Sequence, residues 1–305
     1  MHYFAAIISA FSSSVTSIFG KVSLNLGASA LQILLIRFLF SLLISFIFFL
    51  LLKRKFDLKK FILFGFLGIL NYGLASYLFF SGLKFLNPAY ATVLFFTNPI
   101  FVLLFQTIIY KNKMNILNIL AVILSFVGVF FSNVGEQKFS NLDSLIVGTF
   151  LVILASLLNG LFIAITGEKF KKFSLDPFEI VFYTFLAVSI MYLVVSVFTR
   201  DIFTLRVDYI GYGLLLAIFS TFIPLTLNFF SLKKLSSHTV AIIMPLEVVF
   251  ASILSFIIFG ESFNLIKIIG FVLVGFAPVV ENLKYVFKYF NKWIKHDEYC
   301  EFIIR

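Results

Sequence analysis

Long apolar runs alternate with short polar connectors along almost the whole chain. Most runs reach the ~20 residues that an α-helix needs to cross the hydrocarbon of a bilayer. The connectors are only a few residues long, so the pattern predicts an all-α integral membrane protein without an inserted soluble domain. We predict ten transmembrane helices, at residues 3–20, 30–52, 61–81, 88–110, 114–133, 144–166, 177–198, 209–231, 237–259 and 264–281.

The second half of the chain repeats the first. Residues 80 to about 130 align without a gap with the segment 149 positions later, so that Phe80 matches Phe229. A second ungapped stretch, shifted by 147, matches Ser9 with Ser156. Five spans per half is an odd number, so the halves are inverted across the membrane, which is a transporter architecture. We therefore predict two inverted five-helix repeats and a basic, aromatic tail, at residues 1–135, 136–283 and 284–305.

The distribution of Lys and Arg predicts the orientation. An amino terminus in the cytoplasm places 17 of the 24 Lys and Arg residues in cytoplasmic connectors or in the tail. Because positive residues are enriched on the cytoplasmic side of membrane proteins, this asymmetry predicts that both termini are cytoplasmic. The predicted location is the cytoplasmic membrane, with Cys300 on the cytoplasmic side.

Composition agrees with this class and excludes several others. The chain is 61% apolar and 12% charged, with a mean hydropathy of +1.09. The net charge of +10 is explained by bases at cytoplasmic helix ends, where anionic lipid attracts them, so we expect no nucleic-acid partner. A single cysteine rules out an intrachain disulfide and a thiolate metal cluster, and no catalytic or nucleotide-binding motif is present. We expect neither an enzyme nor a cofactor.

Three segments of the second half carry a family resemblance. They are Leu232-Lys233-Lys234-Leu235-Ser236, Pro245-Leu246-Glu247-Val248, and Gly260-Glu261 followed by Gly270. With the inverted halves, they resemble the drug/metabolite transporter superfamily in its EamA-like branch. That family usually has a second proline where this chain has Val248, and the first half has Lys111-Asn112 in place of the Gly-Glu pair.

The resemblance implies a secondary transporter whose cavity lies between the halves and opens alternately to either side. The cargo it implies is a small metabolite, amino-acid-like, drug-like or related, and export is expected rather than uptake. Coupling to protons and assembly into a homodimer stay open. The alternatives are a facilitator or channel without ion coupling, or a membrane scaffold that transports nothing.

Prolines inside predicted spans indicate where the path could lie. A helical proline frees the carbonyl four residues earlier, so Pro99 would free that of Phe95 and Pro245 that of Ala241. Free carbonyls at bilayer depth face either protein or a water-filled cavity. The fourth and ninth spans are therefore predicted to line the path. For the same reason, Pro224 predicts that the eighth span lines it too. The alternative is that these prolines only kink helices for packing.

Two charges lie well inside the predicted spans, Arg37 and Glu247. Each costs on the order of 3 kcal/mol if it is unpaired at the centre of a membrane helix. Glu247 is interpreted as a protonatable or cation-binding group, or as a structural carboxylate whose partner could be Arg37. Arg37 is interpreted as a structural or orienting residue, with anion binding as the alternative.

Uncharged polar residues extend the predicted site. Asn98 is the repeat partner of Glu247 at the offset of 149, and it is predicted to contact cargo. Any of these groups could instead join helices, which is worth ~0.6 kcal/mol each. The predicted substrate- and ion-binding residues are Glu247, Asn98, Arg37, Asn71, Tyr72 and Asn159, with Pro99, Pro245 and Pro224 as helix breaks in the cavity.

Overall fold

Helices in a computed structural model of the protein follow the predicted spans one by one. The structure describes residues 1–86, 88–112, 115–133, 142–173, 175–259, 264–281 and 283. The helices in chain order are α1 His2–Ser13, α2 Val15–Asn25, α3 Ala30–Leu51, α4 Leu58–Gly68, α5 Ser76–Gly82, α6 Pro88–Phe95, α7 Asn98–Tyr110, α8 Ile116–Ser132, α9 Leu142–Lys172, α10 Pro177–Phe198, α11 Val207–Ala217, α12 Ile223–Leu232, α13 Ser237–Ile243, α14 Leu246–Phe259 and α15 Leu265–Glu281.

Several spans consist of two helices in sequence. The first span comprises α1 and α2, the fourth α6 and α7, and the ninth α13 and α14. A π-helical turn, Ile69–Ala75, joins α4 to α5 in the third span, and a second one, Ile218–Phe222, joins α11 to α12 in the eighth. A short 3₁₀ helix, Asp201–Thr204, precedes the eighth span. The second, fifth, sixth, seventh and tenth spans are α3, α8, α9, α10 and α15.

Seven segments are long and apolar enough to cross a membrane, and an eighth, Ile116–Ser132, is apolar but shorter. The described residues form helices and no strand. The protein is therefore an all-α, multi-span membrane protein. The seven segments are Ala30–Leu51, Leu58–Gly82, Tyr90–Tyr110, Leu145–Lys172, Pro177–Phe198, Asp208–Leu232 and Ser237–Leu254.

The helix limits follow the two offsets found in the sequence. Both ends of α3 and α10 differ by 147, and both ends of α8 and α15 differ by 149. The π-helical turns and the breaks in the fourth and ninth spans also recur near the offset of 149. The division between the proposed halves, at residue 135, and the proposed tail with Cys300 lie outside the described residues.

The second and seventh spans form the centre of the bundle. The Ser189 hydroxyl on α10 donates to the Phe38 carbonyl on α3 at 2.9 Å. Phe38 also stacks on Tyr192, and farther along the pair Phe49 packs against Phe182. Because positions advance along one helix as they recede along the other, the two helices are antiparallel.

The fifth and tenth spans approach closely through small residues. Gly128 on α8 lies against Val274 on α15, and Ser132 lies against Gly270. A Cβ atom on Gly270 would lie 2.7 Å from the Gly128 carbonyl oxygen, so the contact is made by backbone. Small residues allow this kind of approach between membrane helices.

We expect Gly270→Leu to destabilise the protein by roughly 3 kcal/mol, because the new side chain must push α8 and α15 apart. The matched control is Gly275→Leu in the same helix, where a Cβ would meet nothing within 4 Å. The measurement is the thermal midpoint of each purified variant in detergent. Equal midpoints for the two variants would show that the close contact is unimportant.

Candidate functional site

A small cavity lies in the middle of the bundle, between the third span and the sixth, eighth and ninth. Its volume is about 20 Å³, room for one or two water molecules. Its walls include three aromatic rings and four polar side chains, and Tyr72 belongs to both groups. The lining residues are Tyr72, Asn159, Phe162, Ile163, Thr166, Leu225, Asn228, Phe229, Leu232, Val240 and Met244.

Three predicted asparagines form one hydrogen-bonded chain beside this cavity. Asn98 Nδ2 donates to Asn159 Oδ1 at 2.6 Å, and Asn159 Nδ2 donates to Asn71 Oδ1 at 3.0 Å. The chain joins the fourth, sixth and third spans, and only Asn159 reaches the cavity wall. The Asn98 Oδ1 atom is buried and has no hydrogen-bond partner among the described residues. The same is true of Asn228 Oδ1. Of these two oxygens, only that of Asn228, which lines the cavity, is placed to accept a hydrogen bond from a cargo or from water.

The π-helical turn of the third span positions Tyr72. A π-helical turn widens a helix and displaces its carbonyls from their usual partners. Tyr192 on the seventh span donates its hydroxyl to the carbonyls of Tyr72 and Gly73, at 3.0 and 2.7 Å. This bond fixes the backbone at Tyr72, whose ring forms part of the cavity wall.

Pro224 has the clearest effect of the three predicted helix breaks. Its ring removes the hydrogen bond that would otherwise use the carbonyl of Ser220. Arg37 Nη2 donates to that carbonyl at 2.8 Å, and Arg37 Nε donates to the Thr221 hydroxyl. Both acceptors belong to the π-helical turn of the eighth span. Neutral groups of this span therefore hold the guanidinium.

Pro99 and Pro245 begin new helices after a break, as a mid-span proline predicts. The carbonyl of Phe95, freed in the fourth span, accepts a hydrogen bond from the Ser156 hydroxyl at 2.8 Å. It therefore faces protein, and the walls of the cavity include no residue of the fourth span. The ninth span does reach the cavity, through Val240 and Met244 on the half-helix before Pro245.

Glu247 lies in the first turn of α14, directly after the break at Pro245. Its side chain is partly exposed, although it lies within the bundle. It forms no hydrogen bond or ion pair within 4 Å with any residue that the structure describes. Helix α1 packs against both α14 and the π-helical turn of the eighth span that holds Arg37, so the two charges lie in neighbouring parts of the bundle. The structure therefore brings the two charges into one region but does not pair them.

A polar cluster joins the start of α13 to neighbouring spans. Gln106 Nε2 donates to the Ser237 hydroxyl at 3.2 Å and to the Ala164 carbonyl at 3.0 Å. His238 Nε2 lies 3.0 Å from Glu281 Oε1, an oxygen that also accepts from the Thr239 hydroxyl at 2.7 Å. This cluster holds α13, which carries Val240 and is followed directly by Met244.

The sequence-based list of site residues is incomplete. Asn228 and Thr166 line the cavity, and Glu281 pairs with His238, but none of them was among the predicted residues. Asn228 is a mid-span amide one turn after Pro224, and that position is the signal by which the sequence points to it. Glu281 offers no such signal, because an acid at a span end is ordinarily solvated.

Comparisons with known proteins agree with this architecture. A curated protein of Archaeoglobus fulgidus, described as an uncharacterized transporter, is 26% identical over 177 residues, or 58% of this chain. The match spans only about half of that relative, 54% of its length. A solved crystal structure of a protein shares the fold, with a TM-score of 0.75 and 13% identity over 92% of this chain and 96% of its own.

The family comparison covers most of the chain. The family model described as the EamA-like transporter family matches residues 1–134 and 146–280. The two stretches exclude the connector between the fifth and sixth spans and the segment after the tenth. The protein belongs to the EamA-like transporter family.

Proposed function

We propose that the protein carries a small solute across the cytoplasmic membrane by alternating access, with the central cavity as its binding site. The observation that supports this most is the cavity itself, which combines aromatic walls with the unpartnered Asn228 oxygen between several spans. Binding pockets typically combine apolar walls with a few polar groups that orient the ligand. The proposal assigns a carrier activity to the chain and no catalytic one.

The small volume of the cavity requires motion. About 20 Å³ cannot hold a metabolite, so the surrounding helices must separate when cargo enters. The breaks at Pro99, Pro224 and Pro245 divide spans into shorter rigid pieces that can tilt independently. The half-helix α13 is the natural moving part on one side, because Ser237 and His238 hold its first turn through hydrogen bonds that can open.

Glu247 supplies the means of coupling in this proposal. A carboxylate without a protein partner, partly exposed inside the bundle, can take up a proton when the cavity faces one side and release it to the other. The direction we propose is export, with both termini in the cytoplasm. A facilitator without coupling remains the competing function, and the Glu247 experiment discussed below separates the two.

Alternating access predicts that a cavity thiol reacts from both sides of the membrane. Asn228→Cys in a Cys300→Ser background should be labelled by an impermeant maleimide in right-side-out and in inverted vesicles. The matched control is Ile108→Cys, on a side chain that is 71% exposed on the apolar surface, which should react from neither side because lipid covers it. The measurement is the rate of labelling in each type of vesicle.

Weakening the polar cluster at α13 should shift this labelling toward one side. Gln106→Leu removes the bond to Ser237, so the half-helix should open more often, and Asn228→Cys should react faster from the side of that cluster. A thiol that reacts from one side only, in both backgrounds, would argue for a scaffold. Wild-type Cys300 should react only in inverted vesicles if the proposed orientation is right.

A further inference from the structure

Arg37 is a buried cation without a carboxylate partner. Arg37 is 7% exposed. No carboxylate oxygen of the described residues lies within 4 Å of its guanidinium nitrogens. A guanidinium has five N–H donors in a planar fork. Nε and Nη2 bond to neutral groups of the eighth span, and Nη1 has no acceptor among the described residues. The guanidinium therefore keeps both its charge and donors available for an oxyanion.

Arg37 does not line the cavity, but a row of aromatic rings runs from its guanidinium to the cavity wall. Arg37 Cζ lies 5.5 Å from the ring centre of Phe38, and Phe38 meets Tyr72 edge-on at 5.9 Å. Tyr72 in turn meets Phe162 edge-on at 5.6 Å, and both line the cavity. An anion at Arg37 would thus have an aromatic wall beside it, which suits a cargo with an apolar or aromatic body.

Charge balance in this region restricts how an anion can enter. When Glu247 is ionised, its charge and that of Arg37 sum to zero. An arriving anion would leave one negative charge uncompensated in a medium of low dielectric constant, which is unfavourable. A proton on Glu247 removes that excess, because Arg37 then balances the anion alone.

We propose that Arg37 binds the anionic group of a small aromatic or apolar monoanion, and that each anion enters together with one proton on Glu247. This inference rests on the proposed carrier function and names its substrate class. No bond is made or broken beyond the transfer of the proton to a Glu247 oxygen. An outward gradient of the anion would then export the acid together with its proton.

Titratable residues near Glu247 determine which group a measured proton uptake can be assigned to. Arg37, from the second span, and Tyr72, from the third, are the described titratable residues that interact with it electrostatically. The helices packed against α14 are α1, α2, α8 and α15, and the titratable residues described on them are His2, Tyr3, Lys267 and Glu281. Glu247→Gln therefore decides the assignment, because proton uptake that persists in this variant would belong to another of these groups.

The test uses purified protein and isothermal titration calorimetry with benzoate and benzenesulfonate. Benzamide and benzenesulfonamide serve as neutral matched probes. We expect both anions to bind and both amides to bind at least ~10-fold more weakly, because charge-assisted hydrogen bonds to a guanidinium are lost. Titration in buffers of different ionisation enthalpy should show uptake of about one proton per anion, with an affinity that falls by up to tenfold per pH unit as pH rises.

Two variants assign these effects to residues. Arg37→Gln should weaken anion binding at least ~10-fold, whereas Arg200→Gln, at an exposed arginine, should not. Glu247→Gln should bind the anions without proton uptake and without the pH dependence. If Arg37→Gln does not fold, two measurements still decide whether Arg37 binds the anionic group. They are anion binding by Arg37→Lys and the comparison of anions with amides in the wild type.

Three results would overturn the inference. They are equal affinity for anions and amides, no binding of either anion, and anion binding without proton uptake in the wild type. None of these would affect the thiol accessibility expected for alternating access. Labelling of Asn228→Cys from one side of the membrane only would instead contradict the carrier proposal, whatever the calorimetry shows.

Discussion

Glu247→Gln is expected to abolish accumulation of benzenesulfonate driven by a pH gradient, while leaving counterflow of the same anion within about twofold of the wild type. The reason is that glutamine is neutral and nearly isosteric, so the packing around position 247 is kept while the group that gains and releases the proton is lost. Benzenesulfonate suits the assay because it stays ionised and does not cross lipid as a neutral acid. The measurement is uptake into proteoliposomes with an imposed pH gradient and, separately, exchange at equal pH.

Glu179→Gln provides the matched control for this experiment. Glu179 lies at the start of α10 and pairs with Lys60 at 3.0 Å, away from the cavity walls. Its variant should keep gradient-driven accumulation when uptake is normalised to folded protein. Accumulation that survives in Glu247→Gln would leave a facilitator or a different coupling ion, and loss of folded protein in that variant alone would favour a structural role for the carboxylate.

Arg37→Leu is expected to cost roughly 3 to 5 kcal/mol of stability, because it leaves the charge of Glu247 uncompensated inside the bundle. It also leaves the freed Ser220 carbonyl without its donor. Adding Glu247→Gln to Arg37→Leu should recover much of the loss by removing the unbalanced charge. The measurements are the thermal midpoint and the fraction of monodisperse protein for both single variants and the double variant.

The size of the recovery separates two roles of Arg37. The loss that remains in the double variant reports the hydrogen bonds to Ser220 and Thr221, since such bonds between membrane helices average about 0.6 kcal/mol each. A double variant no more stable than Arg37→Leu would show that the two charges are not coupled. In that case the bonds to the eighth span account for the whole effect.

Span limits and the internal repeat could be predicted from the sequence because both depend on local patterns. Bilayer thickness fixes the length of an apolar run, and turn residues end it. The predicted spans 177–198 and 237–259 coincide with Pro177–Phe198 and with the limits of α13 and α14. The helix of the sixth span, α9, extends beyond its predicted limit at residue 166 because its last turns, which end at Lys172, are polar.

The bonding partners of the polar residues could not be predicted in this way. The sequence places Asn71, Asn98 and Asn159 at bilayer depth, but only the packing of three spans joins them into one chain. In the same way, Pro224 predicts a free Ser220 carbonyl, and only the tertiary structure supplies Arg37 as its donor.

The sequence by itself determined the class of protein, the limits of most of its helices, and the two charges within them. These follow from composition and periodicity, which each segment carries independently of its neighbours. The tertiary structure decided that Arg37 and Glu247 share a region without pairing, and that Asn228 faces the cavity. Such contacts depend on the relative positions of helices far apart in the chain, which side chains set only when they pack together.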